Sequence, residues 1–195
     1  MEKLGPHTVH LCVDMQNLFA EETPWHTPWM TRVLPVVVRV AERHPEQTVF
    51  TRFIPPGRPE EMQGTWRRYY ERWRDMTLER LDPHLIELVP PLARLVPPAT
   101  VVDKRVYSAF AEPGTQRVLE ERQADTLLIT GAETDVCVLA TVLGAVDLGY
   151  RVVLLRDAIC SSSDSTHDAL MTLYHQRFGQ QVDAVDAQAA LAAWA

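Results

Sequence analysis

Apolar residues in this chain fall into short runs that stop abruptly, and the segments between the runs carry a different period. The first run, Thr8 to Val13, ends at Asp14-Met15-Gln16-Asn17, and similar runs recur at Thr48 to Phe53, Thr100 to Val102, Thr126 to Thr130 and Arg151 to Leu155. Such runs predict five β-strands. Between them, Trp29 to Arg43 places Val33, Val36, Val37, Val40 and Ala41 on one face of a helix, and Pro113 to Gln123 and Thr134 to Leu148 repeat helical spacing. Strand and helix in alternation imply a parallel sheet, and strands apolar throughout suit a sheet covered on both faces. The expected architecture is α/β: three layers, α/β/α, around a mainly parallel doubly wound sheet. A barrel of strands and helices needs about 250 residues. In an open sheet of this kind, chemistry sits at the carboxyl ends of the strands.

The stretch 55–98 departs from that rhythm. It holds many of the 14 prolines and sets Trp66, Tyr69, Tyr70 and Trp73 at i, i+3, i+4 and i+7, which predicts a helical insertion between the second and third strands. That aromatic stripe packs against the domain or a second subunit, or else walls a substrate site. The arginines from Arg58 to Arg80 are matched by Glu60, Glu61, Glu71, Asp75 and Glu79, so the segment is a solvated face and not a phosphate-binding patch.

At 195 residues the chain fits one domain, 1–195 with its insertion, large enough for a real core. Its 19 basic and 26 acidic residues leave a formal charge of -7, which gives no footprint for nucleic acid or an anionic membrane. No stretch approaches the ~18 to 20 apolar residues of a membrane span. Three cysteines, an odd number, and the lack of a charged-then-apolar leader point to a reduced, cytoplasmic protein.

Three strand ends present reactive side chains: Asp14 after the first, Lys104 after the third, and Cys137 just after the turn that follows the fourth. A thiol at a helix start feels the positive end of the helix dipole, and a neighbouring ammonium lowers its pKa further, so thiolate is expected near neutral pH. Asp14 could then take and return a proton. Taken singly, a cysteine is most often core and an aspartate at a strand end is often a helix cap. Nearby, Cys160-Ser161-Ser162-Ser163-Asp164 ahead of an apolar helix reads as an N-terminal cap, not as part of a serine triad with His167. Asp157 reads as a loop-ordering residue, Cys12 as core, Cys160 as a loop residue, and the scattered histidines as structural.

Four blocks carry a resemblance: Val13-Asp14-Met15-Gln16-Asn17; Asp103-Lys104-Arg105-Val106-Tyr107-Ser108-Ala109-Phe110; Thr130-Gly131-Ala132-Glu133-Thr134-Asp135-Val136-Cys137-Val138 with Thr141; and Gly149-Tyr150-Arg151-Val152 with Asp157-Ala158. Over nearly its whole length the chain resembles the isochorismatase-like cysteine hydrolases, which include nicotinamidases and N-carbamoylsarcosine amidases. The resemblance implies a catalytic triad of Asp14, Lys104 and Cys137. It also implies a cis peptide at Ala132 to Glu133 and an oxyanion hole from the amides of Glu133 and Cys137. The activity implied is hydrolysis of a C–N bond in a small amide, ureido or biuret-type substrate through a thioester, in a protein that is commonly a homo-oligomer.

Two departures narrow the family. Nicotinamidases carry an Asp-x-His metal run after the second strand, where this chain has Phe53 and Pro55, so no metal is expected. Isochorismatases proper cleave a vinyl ether and typically lack the cysteine that is present here. No glycine-rich phosphate loop occurs, and no cofactor is expected. Vinyl-ether hydrolysis and a non-catalytic, redox-sensing use of Cys137 remain as alternatives. Gln16, Phe19, Trp25, Arg52, Tyr107 and Phe110, from loops beside the motifs, are candidate substrate-binding residues, Arg52 as partner for an anionic or ureido group.

Overall fold

The structure, a computed structural model, describes residues 1–194. Its sheet has six strands: β1 (Thr8–Val13), β2 (Thr48–Phe53), β3 (Thr100–Lys104), β4 (Thr126–Ala132), β5 (Arg151–Cys160) and β6 (Val182–Val185). They lie in the order β3-β2-β1-β4-β5-β6, and every pairing is parallel. Eight helices accompany them: α1 (Asn17–Ala20), α2 (Met30–Arg43), α3 (Gly64–Arg72), α4 (Pro90–Ala93), α5 (Pro113–Glu121), α6 (Leu139–Asp147), α7 (Asp164–Gln176) and α8 (Ala187–Ala193). Among the described residues no helix is long and apolar enough to cross a membrane.

Side-chain alternation along each strand feeds two cores. Cys12, Phe50, Leu128 and Val153 face α1 to α4 and α8, whereas Val9, Leu11, Val13, Ile129 and Leu154 face α5, α6 and α7. This is the three-layer α/β/α arrangement that the apolar runs predict. The pattern does not reveal β6: its four residues, Val-Asp-Ala-Val, bury only the first fully, as suits an edge strand. Nor is the stretch Thr134 to Leu148 one regular helix. A π-helical turn, Thr134–Val138, precedes α6.

The segment 55–98 is also less helical than its spacing suggests. Beyond α3 and the single turn α4 it forms short 3-10 turns at Pro59–Glu61, Arg74–Met76 and Pro83–Ile86. Pro59, Pro83 and Pro90 open three of these short turns, at the first helical position, where the missing proline amide costs nothing. The aromatic stripe faces inward: Tyr70 is fully buried, and Trp66, Tyr69 and Trp73 pack half-buried on the core formed with α2. The expectation of a homo-oligomer therefore gains no interface from this stripe.

Strand order reverses between β1 and β4, which run side by side. Chains leaving their carboxyl ends diverge to opposite sides and open a crevice. At Gly131, φ is +114°, and a Cβ there would lie 2.0 Å from the carbonyl oxygen of Val13, so only glycine lets β4 pass β1 at this level.

Candidate active site

Asp14 leaves β1 in the left-handed region, φ 51°, an uncommon conformation for a residue with a side chain and one that turns its carboxyl into the crevice end of the sheet. Thr51 of β2 fixes it from both sides: the Thr51 hydroxyl donates to Asp14 Oδ1 at 2.6 Å and accepts from the Asp14 amide at 3.2 Å. Asp14 Oδ2 meets Lys104 Nζ at 2.6 Å, and both side chains are wholly buried. Lys104 ends β3, donates also to the carbonyl of Val106, and lies 5.0 Å from the centroid of the Phe53 ring. Apart from Lys104, no group among the described residues satisfies Oδ2.

The Cys137 thiol stands in the field of this pair. Burial pushes it well above the ordinary thiol range, the Lys104 ammonium pulls it back, and the Asp14 carboxylate pushes it up again. The net direction is upward, which reverses the expectation of a ready thiolate at neutral pH. Desolvation outweighs both the ammonium and the helix dipole. Burial alone would lower Lys104, but Asp14 and Cys137 more than compensate and hold the ammonium above its usual range. Burial thus favours the neutral form of the Cys137 thiol.

The peptide Ala132–Glu133 is cis, at the position the motif implies. The turn after it is anchored on both sides. Glu133 Oε2 accepts from the Ser162 amide at 2.7 Å, Ser161 donates to Asp135 Oδ1 at 2.5 Å, and Thr134 Oγ1 pairs with His167 Nδ1 at 2.9 Å. The Glu133 carbonyl accepts the amides of Val136 and Val138, the two that flank the amide of Cys137.

Above the cluster lies a cavity of about 350 Å³ whose wall is largely aromatic. Three of the candidate binding residues, Phe19, Trp25 and Tyr107, line it together with Phe53, Tyr69, Trp73, Glu133 and Cys137. The remaining three candidates lie elsewhere. Gln16 is fully buried and spent on backbone: it accepts from the Phe53 amide and donates to the carbonyls of Phe53 and Ile86. Arg52 forms a fork on Asp103 and a second ion pair with Glu87, on a different depression of the surface. Phe110 stacks near Tyr150 and touches α6. The sequence marks Glu133 through its backbone amide and Phe53 through the metal-run position, but not their side chains as cavity wall. The spacing of Tyr69 and Trp73 did mark them as a face.

Ser163 caps α7, its hydroxyl accepting from the Thr166 amide, and Ser161 pairs with acids and not with His167. Asp157 accepts from the Ala187 amide at the start of α8. Cys12 is buried within β1 with its thiol pushed up to about 12. Cys160 ends β5 as a buried strand residue and is not in a loop. Among the described residues no three His, Cys, Asp or Glu side chains are grouped to hold a metal ion, and Phe53 instead forms part of the cavity wall.

Parallel strands in this order, with an acid, a lysine and a cysteine gathered at the crevice, define a doubly wound α/β protein whose candidate site lies where the strand order reverses. Residues 8–186 match the isochorismatase domain model, and the chain belongs to that family. An uncharacterized isochorismatase family protein of Bacillus subtilis (strain 168) is 35% identical over 81 residues, 42% of this chain and 44% of that protein. The chain thus spans less than half the length of this first curated relative. Nicotinamidase 3 of Arabidopsis thaliana is 27% identical over 171 residues, 87% of this chain and 80% of its own. A solved cysteine hydrolase of Pseudomonas syringae pv. phaseolicola 1448A superposes with a TM-score of 0.80 at 22% identity, covering 99% of this chain and 96% of the other. At that identity the likeness speaks for the fold.

Proposed function

We propose that this protein is a cysteine hydrolase that cleaves a C–N bond of a small amide, ureido or biuret-type substrate through a thioester, without a metal. One observation carries the reading: a buried Lys104–Asp14 ion pair whose carboxylate shares its field with the Cys137 thiol beneath an enclosed cavity. Names among the relatives, a nicotinamidase and a cysteine hydrolase, agree with it.

Asp14 accepts the proton from Cys137 Sγ as sulfur bonds to the substrate carbonyl carbon. The transfer moves negative charge from carboxylate to sulfur without changing the net charge of the cluster, so Lys104 stabilises it before and after. That removes the need for a resting thiolate, which burial disfavours. The carbonyl oxygen takes up the electron pair and rests on the amides of Glu133 and Cys137. As the tetrahedral adduct collapses, the C–N bond breaks and Asp14 returns its proton to the departing nitrogen. Water, deprotonated by the same carboxylate, then forms a C–O bond at the thioester, the C–S bond breaks, and the thiol recovers its proton.

The test is ammonia release from a panel of primary amides, ureido compounds and biuret-like compounds, with chelator present, for the wild type beside Cys137→Ala. Release by the wild type alone is expected, with the variant down by at least about 10³-fold. Ammonia release that survives Cys137→Ala would overturn the thioester route, and silence from both proteins would shift weight to vinyl-ether chemistry. A redox role fits less well, since a buried thiol held neutral reacts slowly with peroxide.

A further inference from the structure

The cavity above Cys137 has an unbalanced charge. Its wall presents the rings of Phe19, Trp25, Phe53, Tyr69, Trp73 and Tyr107, and its one formally charged lining residue is Glu133. Glu133 forms no ion pair with any described Lys, Arg or His within 4.0 Å; its Oε2 accepts from the Ser162 amide at 2.7 Å and the Ser161 hydroxyl at 3.5 Å. Three cations of the surrounding elements are committed elsewhere. Lys104 is paired with Asp14, Arg52 with Asp103 and Glu87 outside the cavity, and Arg72 lies over Trp73 at 5.4 Å from the ring centroid without lining the space. His26 is the remaining lining side chain able to carry positive charge.

Phe19 lies nearly parallel to Trp25, at 17°, whereas Trp25 meets Trp73 at 71° and Phe53 at 62°, with centroids 6.2 and 6.0 Å apart. A space lined by several aromatic rings suits a cation, as in the aromatic cages that hold quaternary ammonium groups. A carboxylate brought here would shed its water against the rings and Glu133, with His26 as the one lining side chain able to pair with it. Building on the hydrolase reading, we infer that this site takes amides whose body carries a positive charge and rejects amides that carry a carboxylate.

An isosteric pair isolates charge from shape, 3-(trimethylammonio)benzamide and 3-tert-butylbenzamide, and 3-carboxybenzamide supplies the anion. Binding is measured on Cys137→Ala, through quenching of tryptophan fluorescence and by calorimetry, and ammonia release is measured on the wild type. The cation is expected to bind about 10-fold or more tightly than the tert-butyl compound, a gain of the size seen for desolvated cation–π contacts plus one carboxylate, with the carboxylate weakest. Glu133→Gln and Trp73→Leu, each made in the Cys137→Ala background, should each shrink the cation's advantage several-fold, and His26→Gln should leave the order intact. Equal binding of the first two compounds, tightest binding by the carboxylate, an advantage untouched in both Glu133→Gln and Trp73→Leu, or no binding by any of the three would overturn the inference. Binding in the expected order with no ammonia released by the wild type would instead sink the hydrolase reading and leave the charge preference standing.

Discussion

The floor and the wall of the cavity are built from different parts of the chain and held by different forces. The floor is three strand ends, carrying Asp14, Thr51 and Lys104, joined by the turn that bears Cys137; a parallel sheet sets such ends side by side as a matter of topology. The wall is drawn from the loop around Trp25 and from the proline-interrupted stretch 55–98, and it coheres through ring-on-ring packing. Charge on the floor is concentrated and closed in on itself, whereas charge on the wall is one carboxylate among apolar faces. The chemistry of the site therefore depends on a few exact ionic contacts, and its selectivity on a surface whose members can be exchanged one at a time.

The sharpest way to break this contrast is Lys104→Met. Removing one partner of a buried ion pair strands the other, at a cost of about 3 to 5 kcal/mol, and denaturant unfolding should show a loss of that order together with loss of turnover. Adding Asp14→Asn should restore much of the stability, because the stranded charge is gone, but no activity. A loss under about 1 kcal/mol in Lys104→Met would mean that the pair is not desolvated as described.

Floor and wall are tied together by Gln16, whose amide bridges the end of β2 to the turn at Pro83–Ile86. Gln16→Ala leaves the buried Phe53 amide and two carbonyls short of partners, each such group costing about 1 to 3 kcal/mol before relaxation. The expected outcome is a stability loss of about 2 to 3 kcal/mol with a raised KM and a smaller change in kcat, since the wall shifts while the triad stays. An unchanged KM alongside a collapsed kcat would place Gln16 with the floor instead.

These cases also mark what could be read from the residues alone. The layer arrangement and five of the six strands follow from runs of Val, Leu, Ile and Thr, and Asp14, Lys104 and Cys137 stand out because they follow such runs, whereas Thr51, inside its run, does not. The thiol's pKa direction does not follow, since the helix dipole and lysine are visible in sequence and the burial that outweighs them is not. Gln16 and Arg52 look free in sequence because their partners lie far along the chain: Ile86 and Phe53 for one, Asp103 and Glu87 for the other. Two of those partners sit in 55–98, where prolines erase the periodicity that would have placed them.

A smaller effect separates the sheet that supports the floor from everything above it. His10 in β1 is wholly buried, with Nε2 2.8 Å from the Thr130 hydroxyl and Nδ1 3.3 Å from that of Thr48. Burial first, and His44 second, depress its pKa to about 3. Between that value and the ordinary 6.5 the unfolded chain binds a proton that the folded chain refuses, so stability rises with pH through this window and falls as pH drops through it. From pH 6.5 to pH 5 the loss assigned to this residue is about 2 kcal/mol. Melting curves across that range should be steeper for the wild type than for His10→Gln, and parallel curves would show that the imidazole is not excluded from protonation.

Arg52→Ala should have the least consequence, and its value lies in what it tests. At a strand end, one strand from Asp14, an arginine invites assignment as the anchor for an anionic substrate. Its guanidinium is instead closed onto Asp103 and Glu87, both about half exposed, and this fork holds it above its ordinary pKa, with the Asp103 hydrogen bond the largest cause. Pairs of this exposure contribute about 1 kcal/mol or less. The variant should therefore keep KM within about twofold for every amide in the panel and lose no more than that stability. A several-fold rise in KM confined to carboxylate-bearing amides would return Arg52 to the site and would at the same time remove the reason for expecting the aromatic wall to refuse anions.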